Sequence, residues 1–177
     1  MIIELAVAKD VDEIVALFKA NQTDPGLFQQ SQTEVTRNLT DFEVARDARG
    51  RVVGCAGLHR ESDELGEIFG VAVHPEFQGQ GVGTALINGC KQRAVANGMN
   101  RLWLATVKVD YFRRHSFHTI SRWSLPTSVR LRKLMPVFRQ PIRRWVPVLL
   151  GRHTVMACDL RDESGANLPR CQRSVWT

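Results

Sequence analysis

Two periods of apolar and polar positions run through this chain, and the switches between them mark its elements. "LAVAKDVDEIVALFKAN" opens as a short strand and turns helical at Asp10. There Val11, Ile14, Val15, Leu17 and Phe18 follow helical spacing, and Asp10 with Glu13 reads as a capping box. Ser31 and Glu34 in "SQTEVTRNL" repeat that signal for a second short helix. "FEVARDARGRVVGCAGLHR" reads as a hairpin, with strands near Phe42–Arg46 and Val52–Leu58 about a "DARG" turn. A further strand is expected over Leu65–Val73, and a helix from about Gly81 to Asn97 that stops at "NG". Beyond it, "RLWLATV" reads as a buried strand, "YFRRHSF" as a short helix, and "TISRW" and "HTVMACDL" as two more strands.

Between the Leu65–Val73 strand and the long helix lies "HPEFQGQGVG", where Gly79, Gly81 and Gly83 alternate with larger residues. Side chains are given up just where a helix start offers unpaired N–H groups and the positive end of a dipole. Phosphate oxygens bind well at such a place, so the stretch outlines a pyrophosphate cradle. Glycine spacing alone is equally compatible with a flexible connection. A dinucleotide fold would add an acidic residue about 20 positions later, but no Asp or Glu occurs from Phe77 to Val109. A phosphate-loop ATPase would need Gly-Lys-Ser/Thr, and "GTAL" lacks the lysine.

With 177 residues, 44% of them hydrophobic and 24% charged, the chain fits one globular domain. No apolar run approaches a membrane span and the N-terminus carries early charges, so a cytoplasmic protein is expected. Cys55, Cys90, Cys158 and Cys171 lack metal-ligand spacing, and neither a disulfide nor a metal site is expected. Charge changes the picture more. Ten Arg and Lys and no acid fall between Tyr111 and Cys158, while the remaining residues carry 14 basic and 18 acidic groups. The net +6 therefore belongs to one segment, which suits an acidic ligand, nucleic acid or an anionic membrane surface.

"VAVHPEFQGQGVGTALI" resembles the signature of the GNAT superfamily of N-acetyltransferases, whose Gln/Arg-x-x-Gly-x-Gly/Ala loop holds the pyrophosphate of acetyl-CoA. Gln78, Gly81 and Gly83 fit it. The resemblance implies an α/β (α+β) fold with a central mixed, mostly antiparallel twisted sheet, splayed strands and flanking helices. It also implies acetyl-CoA as co-substrate and no metal. Carried over, Val71 and Val73, about Ala72, would pair with the pantetheine arm. The amides of Gln78, Gly79, Gln80, Gly81, Val82, Gly83 and Thr84 would face the phosphates.

The match sharpens toward the acetyltransferase domain of bacterial N-acetylglutamate synthases, on "GEIFGVAVHP", "LWLATV", "YFRRHSF" and "SLP". Period two places Glu67, Phe69, Val71 and Val73 on one face. The resemblance makes Glu67 the base, directly or through water, with a structural ion pair as its other reading. Thr106 would sit near the departing sulfur, or simply pack. The tyrosine that many relatives use as acid falls at Phe112; Tyr111 is one residue early and, at ~100° per residue, should face elsewhere. It stays a candidate as the only tyrosine. Where the synthases carry a carboxylate-gripping arginine, this chain has Gln30, and a second such arginine matches Arg152. The implied acceptor is a primary amine, possible choices including an amino acid or another small acidic amine.

The expected organisation is an acetyltransferase domain over 1–160, a basic, proline-punctuated, lid-like insertion at 126–152 and a polar tail at 161–177. A small-molecule amine is the first partner implied; a protein or RNA acceptor and a homodimer stay open. The rival reading is an acetyl-CoA-binding module with little or no catalysis, acting through its basic segment on RNA, protein or membrane.

Overall fold

A computed structural model describes residues 1–127, 129 and 153–160. Strands β1 (Ile2–Leu5), β2 (Phe42–Arg46), β3 (Val52–Arg60), β4 (Leu65–Val73), β5 (Arg101–Thr106), β6 (His118–Thr119) and β7 (Thr154–Asp159) form one sheet in the order β1-β2-β3-β4-β5-β7-β6. Helices α1 (Val11–Ala20), α2 (Gln32–Arg37), α3 (Val82–Ala96) and α4 (Val109–Arg113) flank it. All strand pairs are antiparallel except β4 with β5. The mixed, mostly antiparallel sheet expected from the sequence is present. Of the insertion, only Pro126, Thr127 and Val129 are described; Arg152 and the tail lie outside the described residues.

Burial on both faces explains why β3 reads "VVGCAG" without polar alternation. Val53, Ala56 and Leu58 pack under α3 with Leu86, Ile87 and Cys90. Val52 and Cys55 turn to the other face, where Ile14, Leu17 and Phe18 of α1 meet Val35 of α2 and Phe42. Ile14 and Phe18 are fully buried, each stabilising by about 1.5–3 kcal/mol. Cys55, Cys90 and Cys158 are buried thiols within this core.

One helix start differs from its sequence reading. Asp10 does not cap α1 with Glu13 as its box partner. Its carboxylate accepts the Val7 N–H, and Arg46 Nη2 donates to both of its oxygens at 2.8 Å, while Glu13 accepts the Val52 N–H. A buried guanidinium on β2 outcompetes the local cap because a buried carboxylate needs a charged partner. At α2 the box forms as expected: Ser31 Oγ accepts the Glu34 N–H, and Glu34 reaches back to the Ser31 N–H. Of the expected "TISRW" strand only Thr119 is paired, in β6 with His118, and a short turn of 3-10 helix follows at Arg122–Ser124.

Candidate active site

Strand β4 carries the break on which the site depends. Cys55 faces Ala72 and Gly57 faces Phe69, so Gly70 and Val71 together oppose Ala56. That is a β-bulge, with Gly70 at φ +59°, a backbone that favours glycine. The extra residue flips the side chains that follow. Phe69 packs on the α1/α2 face, whereas Val71 and Val73 pack on the α3 face. The expectation of one shared face for Glu67, Phe69, Val71 and Val73 is therefore corrected: it holds from Glu67 to Phe69 and ends at the bulge.

Strands β4 and β5 pair only from Leu65 to Glu67, against Arg101 to Trp103, and then part. The His74 N–H donates to Val53 O. By alternation, the main-chain groups of Val71 and Val73 point away from β3 into the gap. Asn21 Nδ2 (3.1 Å) and Gln78 Nε2 (3.1 Å) both donate to Val73 O, and Gln78 Nε2 also donates to Asn21 Oδ1 at 3.0 Å. Gln78 thus braces the loop through its side chain.

The loop reaches α3 through two left-handed glycines, Gly79 (φ +76°) and Gly81 (φ +81°), both with open space where a side chain would stand. Gly81 is the N-cap, and the first helical bond is Ala85 N–H to Gly81 O. The N–H groups of Gly81, Val82, Gly83 and Thr84 are the four a helix start leaves over, and none finds a main-chain acceptor among the described residues. Gln80 is the exception among the expected cofactor residues. Its side chain folds back to Glu76 O at 2.8 Å and does not line the cleft. Gly83 has a different reason to be glycine: a Cβ there would collide with the Tyr111 hydroxyl.

These elements border a cleft of about 1310 Å³, above the usual size for one small ligand. Glu67 lines it, buried, between His59 on β3 and Trp103 on β5. His59 Nδ1 lies 2.7 Å from Asp41 Oδ2 at the same wall. Thr106, buried at the end of β5, accepts the Lys108 N–H at 2.9 Å. Gln30 sits beside the bulge, and its buried Oε1 accepts no hydrogen bond from a described residue. Phe112 is buried on Phe117, with ring centroids 5.8 Å apart. Burial raises the Tyr111 phenol above its ordinary pKa, against the smaller opposing effects of Thr84 and Arg114.

The sequence reading missed Asn21, whose side chain joins α1 to the glycine loop, and the Asp41–His59 pair. Asn21 sits among helix-end polar residues that give no hint of a partner 57 positions away. His59 becomes informative only once the β3–β4 register sets it opposite Glu67.

A sheet opened along one parallel pair, with a helix start at its mouth and a buried carboxylate at its foot, defines an acyltransferase of the splayed-sheet kind. The chain belongs to the acetyltransferase (GNAT) family, whose model matches residues 5–119. It is 34% identical over 96 residues to an amino-acid acetyltransferase of Mycobacterium tuberculosis, covering 53% of this chain and 55% of that protein. An amino-acid acetyltransferase of Vibrio vulnificus is 28% identical over 123 residues, covering 68% of this chain and 27% of that one. The chain thus spans about half of the first relative and about a quarter of the second. Among solved structures, Rv2747 of Mycobacterium tuberculosis, in complex with CoA and NLQ, superposes with a TM-score of 0.71 at 26% identity, over 90% of this chain and 99% of that one. N-acetylglutamate synthase of Neisseria gonorrhoeae, complexed with coenzyme A and N-acetyl-glutamate, shares the fold with a TM-score of 0.74 at 24% identity, over 91% of this chain and 35% of that one. No helix among the described residues is long and apolar enough to cross a membrane.

Proposed function

We propose that this protein transfers an acetyl group from acetyl-CoA directly to the primary amine of an amino acid or a related small amine. The observation that carries this reading is the meeting, in one cleft, of the Gly81–Thr84 amides, the open edges of β4 and β5, and Glu67 where those strands part. The four amides suit the pyrophosphate. The β4 edge at Val71, turned toward the gap between the strands, suits an extended amide-bearing arm laid along it.

Glu67 takes a proton from the ammonium form of the acceptor, directly or through one water, because only the neutral amine is a nucleophile. The amine nitrogen then bonds to the thioester carbonyl carbon, the carbon–sulfur bond breaks, and the proton the new amide nitrogen sheds balances the one the departing thiolate takes up. Thr106 already uses a hydroxyl lone pair on the Lys108 N–H, and its O–H proton remains available to hydrogen-bond the sulfur. Gln30 stands at the acceptor end, where a neutral amide supplies hydrogen bonds without the charge an arginine would bring to a carboxylate. A second substrate contact is assigned to Arg152, within the basic lid at 126–152 of a domain spanning 1–160.

A thiol-release assay with acetyl-CoA over amino acids, polyamines, aminoglycosides and peptides tests the reading. Turnover is expected with amino-acid amines. Silence across the panel, with no acetyl-CoA binding in calorimetry, overturns it.

A further inference from the structure

Tyr111 is the residue whose placement its family position does not explain. The acid of related enzymes falls at Phe112, which is buried and has no hydroxyl. Tyr111, one step along α4, turns toward α3 instead. Its hydroxyl stands against the Cα of Gly83, leaving no room for a side chain there, and lies within hydrogen-bonding reach of the Thr84 side chain. The ring is fixed edge-on by Phe112 and His115, with centroids 5.2 and 5.0 Å away. Arg114 is near enough for its charge to act on the phenol.

We propose that Tyr111 is a cofactor-binding residue whose hydroxyl completes the pyrophosphate site at the start of α3, rather than an acid for the departing thiolate. The inference rests on the acetyl-CoA reading above. The chemistry follows from the donors on the page. Gly83 and Thr84 present main-chain N–H groups without main-chain acceptors, and beside them stands a neutral phenol. The phenol oxygen accepts from the Thr84 hydroxyl, which leaves the phenolic proton for a phosphate oxygen. A hydroxyl donor next to amide donors fits an anion that offers several oxygens. Gly83 then serves the ligand twice, through its own N–H and by giving Tyr111 its seat.

Calorimetry with two probes, acetyl-CoA and S-acetylpantetheine (which has no phosphate), tests this. Tyr111→Phe should raise the Kd of acetyl-CoA by about ten- to a hundredfold, the cost of one hydrogen bond to a charged group. Affinity for S-acetylpantetheine should not change. Gly83→Ala should weaken acetyl-CoA binding in the wild-type background and do little more in the Tyr111→Phe background, because the hydroxyl it displaces is gone. Unchanged or tighter acetyl-CoA binding by Tyr111→Phe overturns the proposal, as does an equal loss for both probes. So does normal binding with a lowered kcat at saturating acetyl-CoA, measured with the best acceptor of the panel. Failure of the wild type to bind acetyl-CoA sinks this inference together with the proposed function; normal wild-type binding with an indifferent Tyr111→Phe sinks this inference alone.

Discussion

Asn21 at the end of α1 and Gln78 in the glycine loop are joined side chain to side chain at 3.0 Å, and both donate to the carbonyl of Val73. The first helix of the chain therefore holds the loop that follows β4. Asn21→Ala removes the acceptor of Gln78 and two donations at once. We expect a stability loss of about 1–3 kcal/mol, typical of unsatisfied buried polar groups, measured by urea unfolding. Acetyl-CoA affinity should fall with it in calorimetry. An unaltered affinity would mean that the loop holds its shape without α1.

Gly81→Val tests the helix start itself. A β-branched residue is costly at φ +81°, so the first turn of α3 should rearrange. Val82 in that turn reaches the core, but most of what α3 buries lies beyond it, with Leu86, Ile87, Cys90 and Ala94. The expected result is a native-like fold by far-ultraviolet circular dichroism with at least tenfold weaker acetyl-CoA binding. Full affinity would separate the cradle from the cofactor.

Glu67→Gln should lower turnover by about 10²–10⁴ near neutral pH, the range for a positioned general base. The sign with pH follows from the acceptor. At neutral pH most of the amine is protonated, and removing the base is felt in full. As pH rises through the pKa of the amine, the nucleophile forms unaided and the gap should close. A pH profile of thiol release for both proteins checks this; an equal deficit at every pH would take Glu67 out of the chemistry.

Asp10 gives a prediction for acid stability. Burial pushes its carboxyl up, but the Arg46 guanidinium and the Val7 N–H outweigh burial and hold it below its ordinary 3.8. A carboxylate depressed in the folded state stabilises above its unfolded pKa and loses that contribution as pH falls through the folded value. Asp10→Asn should therefore destabilise by about 3 kcal/mol or more at pH 7, as breaking a buried ion pair does. The difference from wild type should shrink below about pH 4, in urea unfolding repeated across pH.

Gln30→Arg asks what the acceptor end selects. A guanidinium beside the bulge would supply the charge-assisted fork that the amide lacks, so acetylation of L-glutamate should rise relative to neutral amino acids. The ratio of kcat/KM values in the thiol-release assay reads the change directly, and a constant ratio would place the carboxylate elsewhere.

Much of this was readable in the letters, and what was not has a physical cause. The expected bounds of β2 and β4 match the structure because strong apolar runs end there in turn residues. The long helix was legible from its glycine start and its "NG" stop. The bulge was hidden because "FGVAV" is compatible with an unbroken strand, and only pairing with β3 shows that Gly70 adds a residue. Asp10 misled because a local capping pattern competes with Arg46, 36 positions away. That Gly83 also makes room for the Tyr111 hydroxyl could not be read, because this neighbour appears only once α4 is placed.

Three rungs, from Leu65 opposite Arg101 to Glu67 opposite Trp103, are the strand pairing between the four-stranded and three-stranded parts of the sheet; the shared core under α3 supplies the rest of the contact. Beyond the third rung the two strands diverge as a wedge, and Glu67 stands at its apex. The last rung thus delivers the carboxylate: the pairing that joins β4 to β5 also fixes Glu67 where they part, with no loop needed to carry it.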